Sequence, residues 1–346
     1  MLGPIARSYK YAYDHSIPWY TTLELTMNCN LKCVHCYNFD RSKPMPKEIK
    51  KTPMSSETIK RVIGELAAEG CLYLGLSGGE ALVHPHFFDF VKEAKKHHMV
   101  VKLKSNGALI TSSLAQKIKL SGISEVDISL YGASPVTHDY LTAVEGSFKK
   151  TINGVKNLIA NQVPVDLKYI LYNRNVEELD QMMFVAEEFG CKHSFSTELT
   201  KRYDHTSEPE DLRLSSTQYM ELLNGPHSKM FRTDNTEGNL QCNCARLVCG
   251  INYAGDVYPC IGAPIFSGNV GQSSFHDIWK NSAELNKIRN IKKEDFKECF
   301  DCNLKTLCSR SSGSAYVNSG NYWGPDHQAC QQSQVKANWE NTKLQV

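Results

Sequence analysis

The chain has 346 residues, 41% of them hydrophobic, enough for one large domain or a large domain plus a small one. A formal charge of +2 is close to balance and gives no basis for nucleic-acid or bulk anionic-surface binding. No apolar run reaches bilayer length and no signal-peptide core opens the chain, so no membrane partner is expected and the cytoplasm is the default compartment.

Residues 1–18 read as an N-terminal tail. From about 19 to 200, strand-like and helix-like runs alternate. Strands are expected at 20–26, 73–77, 100–105, 125–130, 165–171 and 192–197, each short and apolar or alternating. Between them lie helices. Ser55 is placed as a cap, with Met54 and Ile59 as a hydrophobic staple and Ile59, Val62, Ile63 and Leu66 as the buried face. Ser147 precedes the apolar positions Ile152, Val155, Leu158 and Ile159. Asn175 and Glu178 form a capping-box pattern, and Met182 and Met183 read as core filler. Six β/α units predict an α/β fold, a partial (β/α)6 TIM-type barrel of parallel strands with its active site at the strands' C-terminal ends. Residues 201–240 are polar and read as a connector with one helix around 217–223. A small C-terminal domain is expected over 241–335, too poor in aliphatics to fold on burial alone, so that bound metal adds stability. Residues 336–346 read as a C-terminal tail.

Thirteen cysteines in a long chain without an export signal favour metal ligation over a disulfide framework. Cys29, Cys33 and Cys36 follow the first strand in a CxxxCxxC spacing. Three thiolates are one short of the four that close an iron–sulfur cube, which leaves one iron open to a small molecule. A zinc knuckle is the alternative, and His35 is the near candidate for its fourth ligand. Strand two ends in Gly78-Gly79-Glu80 on the same rim. Paired glycines there permit close backbone approach to a ligand. Eight more cysteines lie between Cys242 and Cys330. Cys71 and Cys191 stand alone and read as small buried hydrophobes. The basic run 41–51 reads as a solvated, proline-stiffened loop, with a lid over the barrel mouth as a lesser reading.

The triplet, the Gly-Gly-Glu string and the six-fold alternation resemble the radical S-adenosylmethionine (SAM) superfamily. The resemblance implies a [4Fe–4S] cluster on Cys29, Cys33 and Cys36 whose open iron is chelated by SAM. It also implies reductive cleavage of SAM to a 5′-deoxyadenosyl radical that abstracts a substrate hydrogen. His35 falls where a side chain lies near the adenine, and Gly78, Gly79 and Glu80 fall where backbone meets the methionyl ammonium. Asn106, Ser129 and Lys168 fall where ribose and carboxylate are held.

The later cysteines resemble the SPASM extension of such enzymes, which holds two auxiliary [4Fe–4S] clusters, for three in all. The resembling features are Cys299-x2-Cys302-x5-Cys308, then Cys330, together with Gly255-x4-Cys260. By that resemblance Cys299, Cys302, Cys308 and Cys330 ligate auxiliary cluster II. Three or four of Cys242, Cys244, Cys249 and Cys260 ligate auxiliary cluster I. Ser312 stands where the family pattern carries one more cysteine, which leaves open whether that cluster is fully ligated.

Enzymes with this extension mostly modify ribosomally made peptides by crosslinking, epimerisation, decarboxylation or tyrosine-fragment excision. Ile261 stands where sulfatase-maturing relatives carry a base, which counts against that activity. The resemblance therefore implies a peptide maturase acting on a precursor peptide, with a reductant such as flavodoxin or ferredoxin. Because 28 residues precede Cys29, a separate leader-peptide-binding protein is also expected. Two alternatives stay open: a radical SAM enzyme of tetrapyrrole (haem d1-type) or small-molecule metabolism, and a non-enzymatic electron-transfer or zinc protein.

Overall fold

A computed structural model describes residues 3–232 and 240–343. Its frame is one eight-stranded sheet. The strands are β1 (Tyr20–Glu24), β2 (Tyr73–Ser77), β3 (Val100–Ser105), β4 (Glu125–Ser129), β5 (Val165–Ile170), β6 (Lys192–Ser196), β7 (Val248–Ile251) and β8 (Val257–Tyr258). Their spatial order is β6-β5-β4-β3-β2-β1-β7-β8. All neighbours are parallel except the β7–β8 hairpin. The six expected β/α units are present, with helices between successive strands.

Local chemistry explains the elements. Ser55 caps the helix Ser56–Ala68 by accepting from the Thr58 amide, and Ile59, Val62, Ile63 and Leu66 are buried. On β3, Val101 and Leu103 pack beneath the outer helices while Lys102 and Lys104 face inward. Most parallel sheets are apolar on both faces. Here the inner face carries ion pairs instead: Lys102 and Lys192 on Glu125, Lys104 on Asp127, and Lys168 on Asp166. They fill the barrel's interior and leave its C-terminal rim for a site.

Four expectations need correction. The 1–18 segment is no tail. Helix Pro4–Asp14 buries Ala12, Asn243 donates to Tyr9 Oη at 2.9 Å, and Trp279 donates to the Ser16 carbonyl at 2.7 Å. Residues 336–343 continue the helix His327–Lys343, which buries Trp339 against Ser216–Asn224 through a 2.9 Å bond to Asn224. The small C-terminal domain, expected to be poor in burial, adds to the barrel's core: β7 pairs with β1, and Ile251, Val257, Phe275, Trp279 and Leu285 join that core. Hydrophobic burial therefore contributes more there than its composition suggested. Finally, Asn175 and Glu178 form no capping box. Asn175 donates to the carbonyls of Tyr131 and Ile170, and Glu178 accepts from Ala133, Ser134 and Thr137. Loop demands at the strand ends outcompete the local cap.

The expected connector helix is present as Ser216–Asn224, closed by a Ser215/Gln218 capping box. Part of the connector, 233–239, lies outside the described residues.

Candidate functional site

Beyond β1 the chain turns into the loop that carries Cys29, Cys33 and Cys36. Three contacts hold it. Lys32 and Val34 donate backbone bonds to the carbonyls of Thr142 and Leu141 at 3.0 and 2.9 Å, and the Cys36 amide donates to Cys33 at 3.1 Å. Arg41 folds back over the loop, donating to Cys36 Sγ at 3.0 Å and to the Met27 carbonyl at 2.9 Å. The solvated-loop reading therefore fails at Arg41. It fails again at Lys51, which pairs with the buried Asp256 at 2.6 Å.

Gly78 and Gly79 explain how two loops share one rim. A Cβ on Gly79 would lie 2.3 Å from the Asn28 carbonyl oxygen, and one on Gly78 would lie 2.5 Å from that of Thr26. Gly78 also has φ of +143°. With no side chains in the way, the Gly79 amide donates to Thr26 at 2.7 Å and the Glu80 amide to Asn28 at 2.8 Å. The glycine pair thus docks the cysteine loop as well as edging the cavity.

A cavity of about 490 Å³ opens at this rim. That is within the roughly 300–1,000 Å³ range of small-molecule sites. Cys29, Cys33, His35, Cys36, Gly78, Gly79, Glu80, Asn106 and Ser129 all line it. Lys168 does not: it lies level with Ser129 across the β4–β5 pair, but its amine turns to Asp166 at 2.6 Å and Ser194 at 3.1 Å. The neighbouring carboxylate captures it, so it is withdrawn as a SAM contact. Glu80 lines the cavity as a strut. Its oxygens accept from Ser105 Oγ, the Asn106 amide and the Leu82 amide, at 2.9, 2.9 and 3.2 Å. Burial still holds its carboxyl above the ordinary range against those three donors. Asn106 then donates to Asn30 at 2.9 Å, beside Cys29.

The donor set fits a cluster better than a single ion. Tetrahedral zinc with Zn–S near 2.3 Å needs sulfurs about 3.8 Å apart. Among the described residues the only His/Cys/Asp/Glu trio with ligand atoms within 4.8 Å of one another is Glu125, Asp127 and Asp166, all held by lysines. Cys29, Cys33 and Cys36 do not all fall within that separation of one another, so they make no compact single-ion site. Burial pushes the Cys29 and Cys33 thiols up, with thiolate repulsion adding to it, so ionising them calls for a cationic core. His35 fits a further ligand. Burial drives its pKa down to about 4, helped by Arg202 and His138. The neutral ring stacks edge-on against Tyr131 at 4.5 Å, and its buried Nδ1 has no partner.

The far wall comes from the C-terminal region: Cys260, Ile261, Gly262, Ser311, Gly313 and Ser314. Cys299, Cys302, Cys308 and Cys330 gather together: burial leads in pushing the Cys299 thiol up and Cys330 up to about 11, and the charges of the neighbouring cysteines add to it. Cys244 hydrogen-bonds both Cys242 and Cys260. Cys249 and Cys71 are buried, while Cys191 is half-buried.

Sequence reasoning missed three cavity residues besides Arg41. Tyr37 donates to the buried Glu24 at 2.6 Å, and Tyr203 donates to the Ile261 carbonyl. Glu198 follows β6, opens onto this cavity and a neighbouring one of about 250 Å³, and accepts from Ser314. Its surroundings exclude bulk water and push its carboxyl up to about 7, with the charge of Asp326 adding to the effect. A lone Glu just past a strand end carries no sequence signal; only the tertiary fold places it.

Residues 23–186 match the family model of the radical SAM superfamily, and residues 242–303 match SPASM, an iron–sulfur cluster-binding domain. The AdoMet-dependent heme synthase of Methanosarcina barkeri (strain Fusaro / DSM 804) is 28% identical over 329 residues, spanning 86% of this chain and 92% of that protein. Mycofactocin maturase MftC of Mycobacterium tuberculosis (strain CDC 1551 / Oshkosh) is 31% identical over 288 residues, spanning 78% of this chain and 72% of that one. The fold is also that of native anSMEcpe with bound AdoMet, at a TM-score of 0.64 and 16% identity over 93% and 100% of the two chains. Among the described residues no helix is long and apolar enough to cross a membrane. With its three-cysteine loop docked on a glycine rim, the chain belongs to the radical SAM superfamily, is an enzyme of the SPASM type, and takes SAM and iron–sulfur clusters as cofactors.

Proposed function

We propose that this enzyme is a peptide maturase that abstracts a hydrogen from a ribosomally made precursor. The observation that carries the reading is the cavity itself, walled on one side by Cys29, Cys33 and Cys36 and on the other by Cys260–Gly262, Ser311, Gly313 and Ser314. A substrate there lies between the two cysteine sets. The relation to mycofactocin maturase supports a peptide as that substrate. In this reading the barrel over 19–200 performs the hydrogen abstraction and the 241–335 region holds the auxiliary clusters.

Cys29, Cys33 and Cys36 would hold the cluster, which when bound would supply the electron for reductive cleavage of SAM. The chain's own residues prepare that event. Gly78 and Gly79 hold the cysteine loop against the rim and offer backbone to the cofactor's ammonium. Asn106 and Ser129 face the cofactor from the ends of β3 and β4. His35, kept neutral by burial, keeps Nδ1 available near the adenine. Arg41 donates to Cys36 and places its charge beside the thiolates. Glu198 is poised to take or give a proton on the substrate side.

We extend the proposal to two partners: a small protein that binds the precursor's leader, and a flavodoxin or ferredoxin as reductant. The test is anaerobic incubation of the reconstituted enzyme with SAM, reductant and a short peptide encoded beside its gene, read by peptide mass. A mass change that needs a neighbouring leader-binding protein supports the full reading. Modification at full efficiency without that protein removes the partner, and unchanged peptide removes the maturase. A tetrapyrrole substrate is the second reading, favoured by the heme synthase whose length this chain nearly spans. Substrate-dependent 5′-deoxyadenosine release with a porphyrin, and not with peptide, selects it.

A further inference from the structure

The auxiliary cysteines are unequal. Cys244 hydrogen-bonds Cys242 and Cys260, so these three converge. Cys249 does not face them. It sits on β7 opposite Thr21, fully buried, with its sulfur 3.6 Å from the Tyr258 carbonyl. Successive side chains on a strand point to opposite faces. The next residue, Gly250, faces the Cys260 loop: a Cβ there would lie 2.6 Å from the Ile261 amide. Cys249 must therefore point away, toward the helix-packed face. Cys71 lies on that face, with its sulfur 3.4 Å from Thr21 Oγ1.

Beside Cys242 stand two hydroxyl oxygens, those of Ser312 and Tyr322. Ser312 is fully buried and hydrogen-bonds Cys242. Its backbone is pressed onto the Cys260 loop, because a Cβ on adjacent Gly313 would lie 2.6 Å from the Gly262 carbonyl oxygen. Arg310 donates to Ser312 Oγ at 2.7 Å and is fixed by further bonds to the carbonyls of Leu240, Tyr322 and Gly324. Tyr322 Oη lies 3.3 Å from Cys242 Sγ.

We propose that auxiliary cluster I is held by Cys242, Cys244, Cys260 and the hydroxyl oxygen of Ser312, with Cys249 outside the set. The Fe–O bond forms as the O–H bond breaks. The proton leaves to water, as it does from a cysteine thiol, and no iron changes oxidation state. The Arg310 charge favours the anionic oxygen that remains. The proposal rests on the region binding clusters and is independent of which substrate the enzyme takes.

The test uses full-length, anaerobically reconstituted enzyme. It compares wild type with Ser312→Cys, Ser312→Ala, Cys249→Ala and Tyr322→Phe by iron content, Mössbauer and EPR spectra, and redox titration. Wild type should show one auxiliary iron distinct from its neighbours, and Ser312→Cys should abolish that distinction and shift the auxiliary midpoint potential. Ser312→Ala should open the corner, so that cyanide perturbs its auxiliary EPR signal but not the wild-type one. Cys249→Ala and Tyr322→Phe should match wild type in iron content and spectra. Loss of one cluster's iron in Cys249→Ala would overturn the proposal. So would a cyanide-induced change in the wild type's auxiliary EPR signal, or unchanged spectra in both Ser312 variants. Ser312→Ala removes a single atom, so it keeps the test decisive if the cysteine variant fails to assemble. If peptide modification fails while these spectra behave as expected, only the substrate reading falls.

Discussion

Replacing Glu80 with Gln separates a strut from a ligand. The carboxylate accepts three hydrogen bonds, from Ser105 Oγ, Leu82 N and Asn106 N, and is buried to 1% exposure. Glutamine has one acceptor oxygen. In its best orientation that oxygen keeps Ser105 and Leu82, and the amide nitrogen then meets the Asn106 N–H, donor against donor. The change loses one bond to a carboxylate and leaves a buried N–H unsatisfied, about 2–3 kcal/mol in sum. For a chain of 346 residues at roughly 2.1 cal/mol/K of unfolding entropy each, that lowers Tm by about 3 °C. Glu80→Ala, which orphans all three donors, should cost about twice as much. The assay is anaerobic calorimetry of the reconstituted enzyme, paired with SAM titration in the absence of reductant. Because Asn106 bridges to Asn30 beside Cys29, SAM affinity should fall together with stability. A glutamine variant that melts with wild type yet fails to bind SAM would refute the strut and return Glu80 to the cofactor contacts.

Three other outcomes follow from the same rim. Gly79→Ala must push the Asn28 carbonyl from 2.3 Å to ordinary contact, so it should displace the cysteine loop; cluster content at the first site and 5′-deoxyadenosine formation should both drop at least tenfold, and unchanged iron content would contradict this. Arg41→Ala removes a cation and an N–H donor from Cys36, which should lower the first cluster's midpoint potential by roughly tens of millivolts, since 59 mV for one electron matches ~1.4 kcal/mol; redox titration checks it, and an unmoved potential refutes it. Glu198 keeps a proton in the folded enzyme that an unfolded chain loses near 4.5, so between pH 4.5 and about 7 the folded state binds more protons and this group's contribution to stability falls as pH rises; Glu198→Gln should flatten that slope and remove a product-formation limb near neutral pH while sparing substrate-free SAM cleavage.

Much of the barrel is legible in the sequence because its signals are local. Ser55 caps where its spacing says it will, and Ile59, Val62, Ile63 and Leu66 fall on one helical face. The misses share a cause: side chains that look local are recruited by distant partners. Glu178 ignores its own helix terminus for Ala133, Ser134 and Thr137 on another loop. Lys168 stands at the right height for the cofactor, but Asp166, two residues back on the same face, holds it. Arg41 reads as part of a solvated basic run, and only the folded loop shows it reaching Cys36. β7 is four residues long, and nothing within it announces a parallel partner more than two hundred residues upstream.

The cysteines show the same limit in its sharpest form. Spacing counts residues along a chain, whereas ligation depends on which face each residue presents. Cys299, Cys302 and Cys308 sit in one compact turn, so their spacing nearly fixes their meeting, and the helix bearing Cys330 brings the fourth. The other set is drawn from a loop before β7, a loop after β8 and the first turn of the helix Ser312–Ser319. Counting thiols there returns four, because Cys249 is near in sequence. Strand alternation removes it: Gly250 must face the Cys260 loop, so its neighbour cannot. A cysteine beside a glycine that touches a ligand loop is thus evidence against ligation by that cysteine. The shortfall it leaves falls on Ser312, a buried hydroxyl beside the Gly313 that presses on the same loop.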